Sequence, residues 1–295
     1  MSFPVIDLKS LDQMWFQISG TICNLSCEHC FISCSPKNNS FDIMDTDYVF
    51  KIIKEASENG LKEFYFTGGE PFVHKDILKI LEYSLKYAPT TILTNGLLLK
   101  KELTKKLNKI HQNSIYSLEI RVSLDSYLES EHDKLRGKGS FRKALDGIKN
   151  LVENNFLPII TVTKTWNDNN DLLAQENLKR ILNEIGYKRP RLKILPIIKI
   201  GKEAERGNSY QDYEYVNEEM LEPFDKTSLI CSNSRIATSK GFYYCPILID
   251  TDRSNLGNDF QDSFKPVTLS EKACYTCYMF GSICQNIQSG EKYAR

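Results

Sequence analysis

The sequence has no surplus of charge: 38 Lys and Arg balance 38 Asp and Glu over 295 residues, so the net charge is zero. A chain without a basic excess exerts no long-range pull on polyanions, which makes nucleic acid and anionic membrane poor default partners. Long apolar runs are lacking too. None approaches the roughly 20 residues a helix needs to span a bilayer, and the opening MSFPVIDLKS lacks the basic stretch and apolar block of a secretory signal. Cysteine is missing from the whole middle of the chain, residues 35–230. What remains is the composition of a cytoplasmic globular protein, with 41% hydrophobic residues to build a core.

The cysteines themselves number nine, Cys23, Cys27, Cys30 and Cys34 in one group and Cys231, Cys245, Cys274, Cys277 and Cys284 in another. An odd count, a large chain and no export signal argue against a disulfide framework. Clustered thiols in a reducing compartment point to metal.

Between the two groups, short β-branched or aromatic runs alternate with helical patterns. Strands are expected at Met14–Ser19, Glu63–Thr67, Thr90–Thr94, Ser117–Ser123, Pro158–Thr163 and Arg191–Ile197. Helical spacing falls near 45–59, 75–87, 100–112, 140–154 and 170–185, with Thr46, Asp47 and Asp171 at starts and Gly60 and Gly186 past ends. Six strands joined by helices imply a parallel sheet covered by helices, open or part of a barrel, with ligands at the carboxyl ends of the strands. The rhythm stops near residue 200. This divides the chain into an N-terminal segment 1–13, an α/β unit 14–200 and a cysteine-rich remainder 201–295. The Lys-rich 100–109 reads as a solvated helix face.

Directly after the first strand comes Cys23-Asn-Leu-Ser-Cys27-Glu-His-Cys30, a C-x3-C-x2-C loop. Zinc sites are normally closed by four ligands in CxxC pairs. This loop supplies three unless Cys34 closes the set, and three ligands on a four-iron cluster leave one iron open. Thr67-Gly68-Gly69-Glu70-Pro71 follows the second strand, where glycines allow close approach of backbone and Glu70 offers an acceptor. Thr94-Asn95-Gly96 and Ser123-Leu124-Asp125 end the third and fourth. Turn or helix-capping duty would also explain these polar residues.

In these motifs the chain resembles the radical S-adenosylmethionine (SAM) superfamily, whose hallmark is the same cysteine spacing after the first strand of a partial (β/α)6 TIM-type barrel. The resemblance implies a 4Fe–4S cluster on Cys23, Cys27 and Cys30, with SAM chelating the fourth iron. Reductive cleavage of SAM would then give a 5′-deoxyadenosyl radical that abstracts a substrate hydrogen. It also implies SAM contacts from His29 near the adenine, Gly68, Gly69, Glu70 and Pro71 at the amino group, and Thr94, Asn95, Ser123 and Asp125 at ribose and carboxylate. Leu195 would line the adenine, in a segment lacking the family's usual glycine. Arg136 would bind the SAM carboxylate or belong to a surface turn. Cys34 reads as a buried structural thiol.

The second group resembles the family's C-terminal auxiliary-cluster extensions, the SPASM and "twitch" domains: Cys231, a hairpin opened by Gly241, Cys245, then Cys274-x2-Cys277. One auxiliary 4Fe–4S cluster on those four, carrying electrons, with Cys284 spare, is the implied arrangement. A zinc-ribbon-like clip is the structural alternative. Gly201–Gly207 resembles a segment of such enzymes and has no assigned chemistry. The resemblance therefore implies a radical SAM enzyme acting on a small metabolite, supplied with electrons by a flavodoxin- or ferredoxin-type donor. The alternative substrate is a ribosomally made peptide, crosslinked or epimerised. With about 13 residues before the first strand, no N-terminal peptide-recognition domain is expected, and a separate partner protein could supply one. An iron–sulfur or zinc-stabilised binding or electron-transfer protein would explain the cysteines but not GGEP.

Overall fold

The computed structural model describes residues 3–166, 170–281 and 283–284. A short strand β1 (Val5–Ile6) precedes the six expected ones: β2 (Gln13–Gln17), β3 (Glu63–Thr67), β4 (Thr90–Thr94), β5 (Leu118–Ser123), β6 (Ile159–Thr163) and β7 (Arg191–Leu195). They pair in sequence order and all in parallel, giving the partial barrel of an α/β fold. The crossover helices are α1 (Thr46–Glu58), α2 (Ile77–Ser84), α3 (Lys101–Gln112), α4 (Glu129–Arg136), α5 (Ser140–Glu153) and α6 (Asp171–Glu184). Among the described residues no helix is long and apolar enough to cross a membrane.

The two-residue period of the strands separates two environments. Phe16, Phe64, Phe66, Ile92, Ile120, Val122, Ile160 and Val162 point outward into the helical layer and are buried there. On α1, Val49, Ile52, Ile53 and Ala56 form the matching stripe at helical spacing. Each fully buried Ile or Val of that kind contributes about 2 kcal/mol. The alternate positions, Trp15, Tyr65, Leu93, Arg121, Thr161 and Leu195 among them, turn to the barrel interior.

Three local details differ from the sequence reading. The cap of α1 is Asp45, whose side chain accepts from the backbone N–H groups of Asp47 and Tyr48; Thr46 and Asp47 are already helical. Helix α4 lies outside the expected helical patterns, because ESEHDKLR buries only His132 and Leu135 and so lacks an apolar period. Arg136 ends that helix, instead of lying in a surface turn.

Past residue 200 come α7 (Lys202–Glu205), α8 (Glu218–Leu221), β8 (Ser234–Thr238), β9 (Gly241–Tyr243), β10 (Asn255–Gly257), β11 (Val267–Thr268) and α9 (Cys274–Phe280). Strand β8 hydrogen-bonds in parallel to β2, and β9 and β10 follow antiparallel, so one nine-stranded sheet runs β10-β9-β8-β2-β3-β4-β5-β6-β7. Strands β1 and β11 form a separate antiparallel pair.

Candidate active site and a second thiol cluster

The chain leaves β2 at Gln17 and turns into the cysteine loop at the carboxyl end of the barrel, where Cys23, Cys27 and Cys30 border one cavity of about 230 Å³. The loop is held from two sides. On one side the Gly68-Gly69-Glu70 backbone lies against it, with the Gly69 N–H donating to the Gly20 carbonyl (2.9 Å) and the Glu70 N–H to that of Ile22 (3.1 Å). A Cβ on Gly69 would overlap the Ile22 carbonyl, so the glycine is required by the loop itself. On the other side lies Gly201, at φ +58, where a Cβ would sit 2.5 Å from the Phe31 carbonyl oxygen. The next residue, Lys202, donates from its backbone to the Cys30 carbonyl (3.1 Å) and from Nζ to Ser26 Oγ (2.9 Å). The 201–207 segment thus braces the cysteine loop, a role with no sequence signal beyond the glycine.

Two buried carboxylates knit the loop to the strand ends. Glu70 accepts from Thr94 Oγ1 (2.7 Å), the Asn95 N–H (2.9 Å) and the Phe72 N–H (3.1 Å). Burial nevertheless pushes its pKa up to about 7. Asn95 continues the chain of contacts, donating to Asn24 Oδ1 (2.7 Å) beside Cys23. Asp125 accepts from His29 Nε2 (3.1 Å), Arg136 Nε (2.5 Å) and the Thr163 N–H (3.0 Å). Burial opposes its ionisation, but Arg136 and then His29 outweigh it and hold the carboxyl well below the usual range. His132, also buried there, is driven down to about 4 by desolvation and by Arg136.

Of the residues singled out for SAM, His29, Gly68, Gly69, Thr94, Asn95, Ser123, Arg136 and Leu195 border the cavity. Glu70, Pro71 and Asp125 lie behind its wall, buried, where they position those that face it. His29 keeps Nδ1 without a partner although that atom is buried, an open polar valence on the cavity wall.

The second thiol group also converges. Cys231, Cys245, Cys274 and Cys277 surround a small cavity of about 20 Å³, closed by Leu229, Ile247 and Leu269. Cys274 and Cys277 sit a helical turn apart on α9, a helix invisible to periodicity because its buried side is made of thiols and Thr276. Arg235, buried beside them, donates to the Cys231 carbonyl (2.6 Å). Cys284 joins this group to the first. It borders the same cavity as Cys23, Cys27 and Cys30, and after burial its proximity adds to the upward push on the Cys245 and Cys277 thiols. Cys34 is buried against the loop, and its backbone N–H donates to Cys30 Sγ (3.3 Å).

The thiol sets fit iron–sulfur clusters on chemical grounds. Desolvation pushes Cys23 up to about 12, Cys231 to about 11 and Cys274 to about 12, so these thiols ionise only beside a strong local positive charge such as bound iron. Cys30 is the exception, brought down to about 6 chiefly by its hydrogen bond with the Cys34 thiol. Among the described residues no three Cys, His, Asp or Glu side chains converge closely enough to hold a single ion.

The profile of the radical SAM superfamily matches residues 18–174, more than half of the chain. The chain belongs to the radical SAM superfamily. Members of this superfamily are enzymes that use a 4Fe–4S cluster and SAM. A relative from Bacillus subtilis, the "Antilisterial bacteriocin subtilosin biosynthesis protein AlbA", is 27% identical across 83% of this chain and 57% of its own length. A GTP 3′,8-cyclase from Clostridium perfringens is 26% identical over 74% of this chain and 64% of its own length. Such curated relatives are longer proteins, and this radical SAM chain spans only about half to two thirds of them. The same fold occurs in Streptococcus suis SuiB bound to its precursor peptide SuiA (TM-score 0.63, 16% identity, covering 88% of this chain and 66% of that one).

Proposed function

We propose that this chain cleaves SAM reductively and uses the resulting radical to take hydrogen from a substrate in the 230 Å³ cavity, with a second 4Fe–4S cluster serving as electron relay. The grouping of the thiols supports the reading: Cys23, Cys27 and Cys30 border that cavity together with Cys284, while Cys231, Cys245, Cys274 and Cys277 line a separate pocket that shares Ile247 with it. In this reading 14–200 is the SAM unit and 201–295 the auxiliary one.

Each residue has a physical task. Cys23, Cys27 and Cys30 would hold a 4Fe–4S cluster that supplies one electron to SAM. Asp125 fixes the His29 ring and the Arg136 guanidinium toward the cavity, where they would meet the adenine and carboxylate of SAM. Glu70 holds Thr94 and Asn95 in place, and Leu195 gives an apolar wall. Cys231, Cys245, Cys274 and Cys277 would hold the second cluster with all its irons ligated, leaving it electron transfer and not substrate binding. A flavodoxin- or ferredoxin-type protein would deliver the electrons.

A free volume of about 230 Å³ beside the cysteine loop favours a small metabolite. A ribosomal peptide is the second reading, favoured by the similarity to the subtilosin biosynthesis protein across 83% of this chain. A groove of about 850 Å³ opening beside Asn24 and Leu25, lined by lysines such as Lys100 and Lys143 and by Glu102, Asp146 and Glu153, would give a peptide a polar surface.

Iron, sulfide and zinc per chain after anaerobic purification test the cluster assignment. About eight irons falling to about four in the C23A/C27A/C30A variant, and again to about four in C231A/C245A, is the expected pattern. Four irons with one zinc would turn the second site into a structural clip. Zinc without iron would end the radical reading. Micromolar binding of a short precursor peptide would select the second substrate class.

A further inference from the structure

Tyr244 is the residue before Cys245, 2% exposed, and it lines the four-thiol pocket. Its backbone is fixed there by its own N–H, which donates to the Ser254 carbonyl (3.0 Å). Among the described residues the rest of that lining, the four thiols apart, is apolar, with Leu229, Ile230 and Ala273 in it; the phenol is the one oxygen-bearing side chain. Although buried, its hydroxyl meets no nitrogen or oxygen acceptor. Tyr65, Tyr187 and Tyr210, buried as well, each reach an oxygen: Glu63 Oε1 (2.7 Å), the Pro158 carbonyl (2.7 Å) and Thr276 Oγ1 (2.5 Å).

A buried hydroxyl without an oxygen or nitrogen acceptor costs free energy, so its surroundings must give it something to bind. In this pocket that is sulfur. Burial favours the neutral thiol of Cys274, and a hydrogen bond from the Tyr244 side chain acts the other way, favouring the thiolate. The charge of Glu271 also reaches the phenol, but no hydrogen bond joins the two. A phenol is a donor at neutral pH. Four thiolates around a buried cluster concentrate negative charge, and each electron added increases it. A donor on one of those sulfurs stabilises the more negative state and raises the reduction potential.

We propose that Tyr244 sets the reduction potential of the second cluster: its hydroxyl donates to the Cys274 sulfur and makes the cluster a better electron acceptor than apolar walls alone would. This rests on the reading above, in which the four thiols hold a 4Fe–4S cluster. Tyr244 is a positioning residue that acts through Cys274, since it does not border the 230 Å³ cavity.

The test is a redox titration of the iron-loaded full chain, anaerobic, with dithionite and mediator dyes, followed by electron paramagnetic resonance. Wild type should give two one-electron waves, and the wave kept by C23A/C27A/C30A belongs to the second cluster. Y244F should hold about eight irons per chain and leave the first wave in place. Its second wave should move to lower potential by about tenfold in the reduction equilibrium, or about 59 mV. A second readout does not need the variant to keep its iron. Electron–nuclear double resonance of the reduced second cluster in wild type should show an exchangeable proton, seen in H2O and lost in D2O, and one such coupling should be missing from Y244F. If Y244F loses iron, the wild-type coupling decides. An unmoved second wave in iron-replete Y244F, a move to higher potential, or no exchangeable coupling in wild type would each overturn the role of Tyr244. About four irons with one zinc in wild type would instead overturn the second cluster, and the inference with it.

Discussion

The carboxylate of Asp125 has no exposed surface, yet it carries three donors from three parts of the chain: His29 of the cysteine loop, Arg136 of α4 and the backbone of Thr163 after β6. Neutralising it in D125N leaves the Arg136 charge buried and unpaired, so unfolding in denaturant should be easier by about 3–5 kcal/mol. The double variant D125N/R136M should recover part of that loss. Its folded pKa is depressed, so the stability it contributes is present above its ordinary value near 3.8 and is lost only as pH falls below that. Glu70 has the opposite sign. Its pKa is raised from 4.5 to about 7, so the folded state holds a proton that the unfolded chain has released, and stability falls as pH rises between those values. The fall attributable to this group is about 3 kcal/mol. Denaturation of wild type and E70Q from pH 4.5 to 8 checks this, and the part of the slope belonging to Glu70 should vanish in the variant.

At the scale of elements, the cysteine loop is a segment with little regular structure of its own, shaped by what passes against it. The Gly68–Gly69 backbone and the start of α7 at Gly201 close on it from opposite sides. G69A should therefore expel or shift the loop while leaving the strands intact: far-ultraviolet circular dichroism unchanged, iron per chain reduced by about half, SAM binding lost. G201A adds a Cβ in a left-handed conformation, which costs about 1–3 kcal/mol and should lower iron retention in the same loop. Helices α4 and α9 belong to this scale as well. Both deliver site residues, and neither has an apolar stripe, because their buried faces are made of His132, Cys274 and Cys277.

For the whole molecule, the decisive feature is that β8 adds to the open edge of β2 and continues the barrel's sheet. The cysteine-rich part is in this way hydrogen-bonded to the first barrel strand, and Trp15 packs in one apolar cluster with Ile236, Tyr243 and Cys245. A chain shortened after Ile200 should expose the β2 edge and the inner face of Trp15, and aggregate; sedimentation of the shortened chain against the full one checks it. C231A/C245A, which keeps β8 and β9, should remain monodisperse.

The sequence by itself determined the six parallel strands, five of the six crossover helices and both sets of thiols. Each of these rests on a period or a spacing: two residues for strands such as Glu63–Thr67, three and four for α1, fixed offsets for Cys23, Cys27 and Cys30. Local sterics and short loops convert such patterns directly into geometry. Tertiary structure alone decided that Asp125 pairs with Arg136 and His29, that Gly201 touches the cysteine loop, that Cys284 borders the same cavity as that loop, and that Arg121 is buried in the lumen. Those contacts join residues from 11 to 171 positions apart, counted from Asp125 to Arg136 and from Cys30 to Gly201. No local period encodes them, because the curvature of the barrel and the edge pairing of β8, and not the neighbouring residues, set which side chains meet.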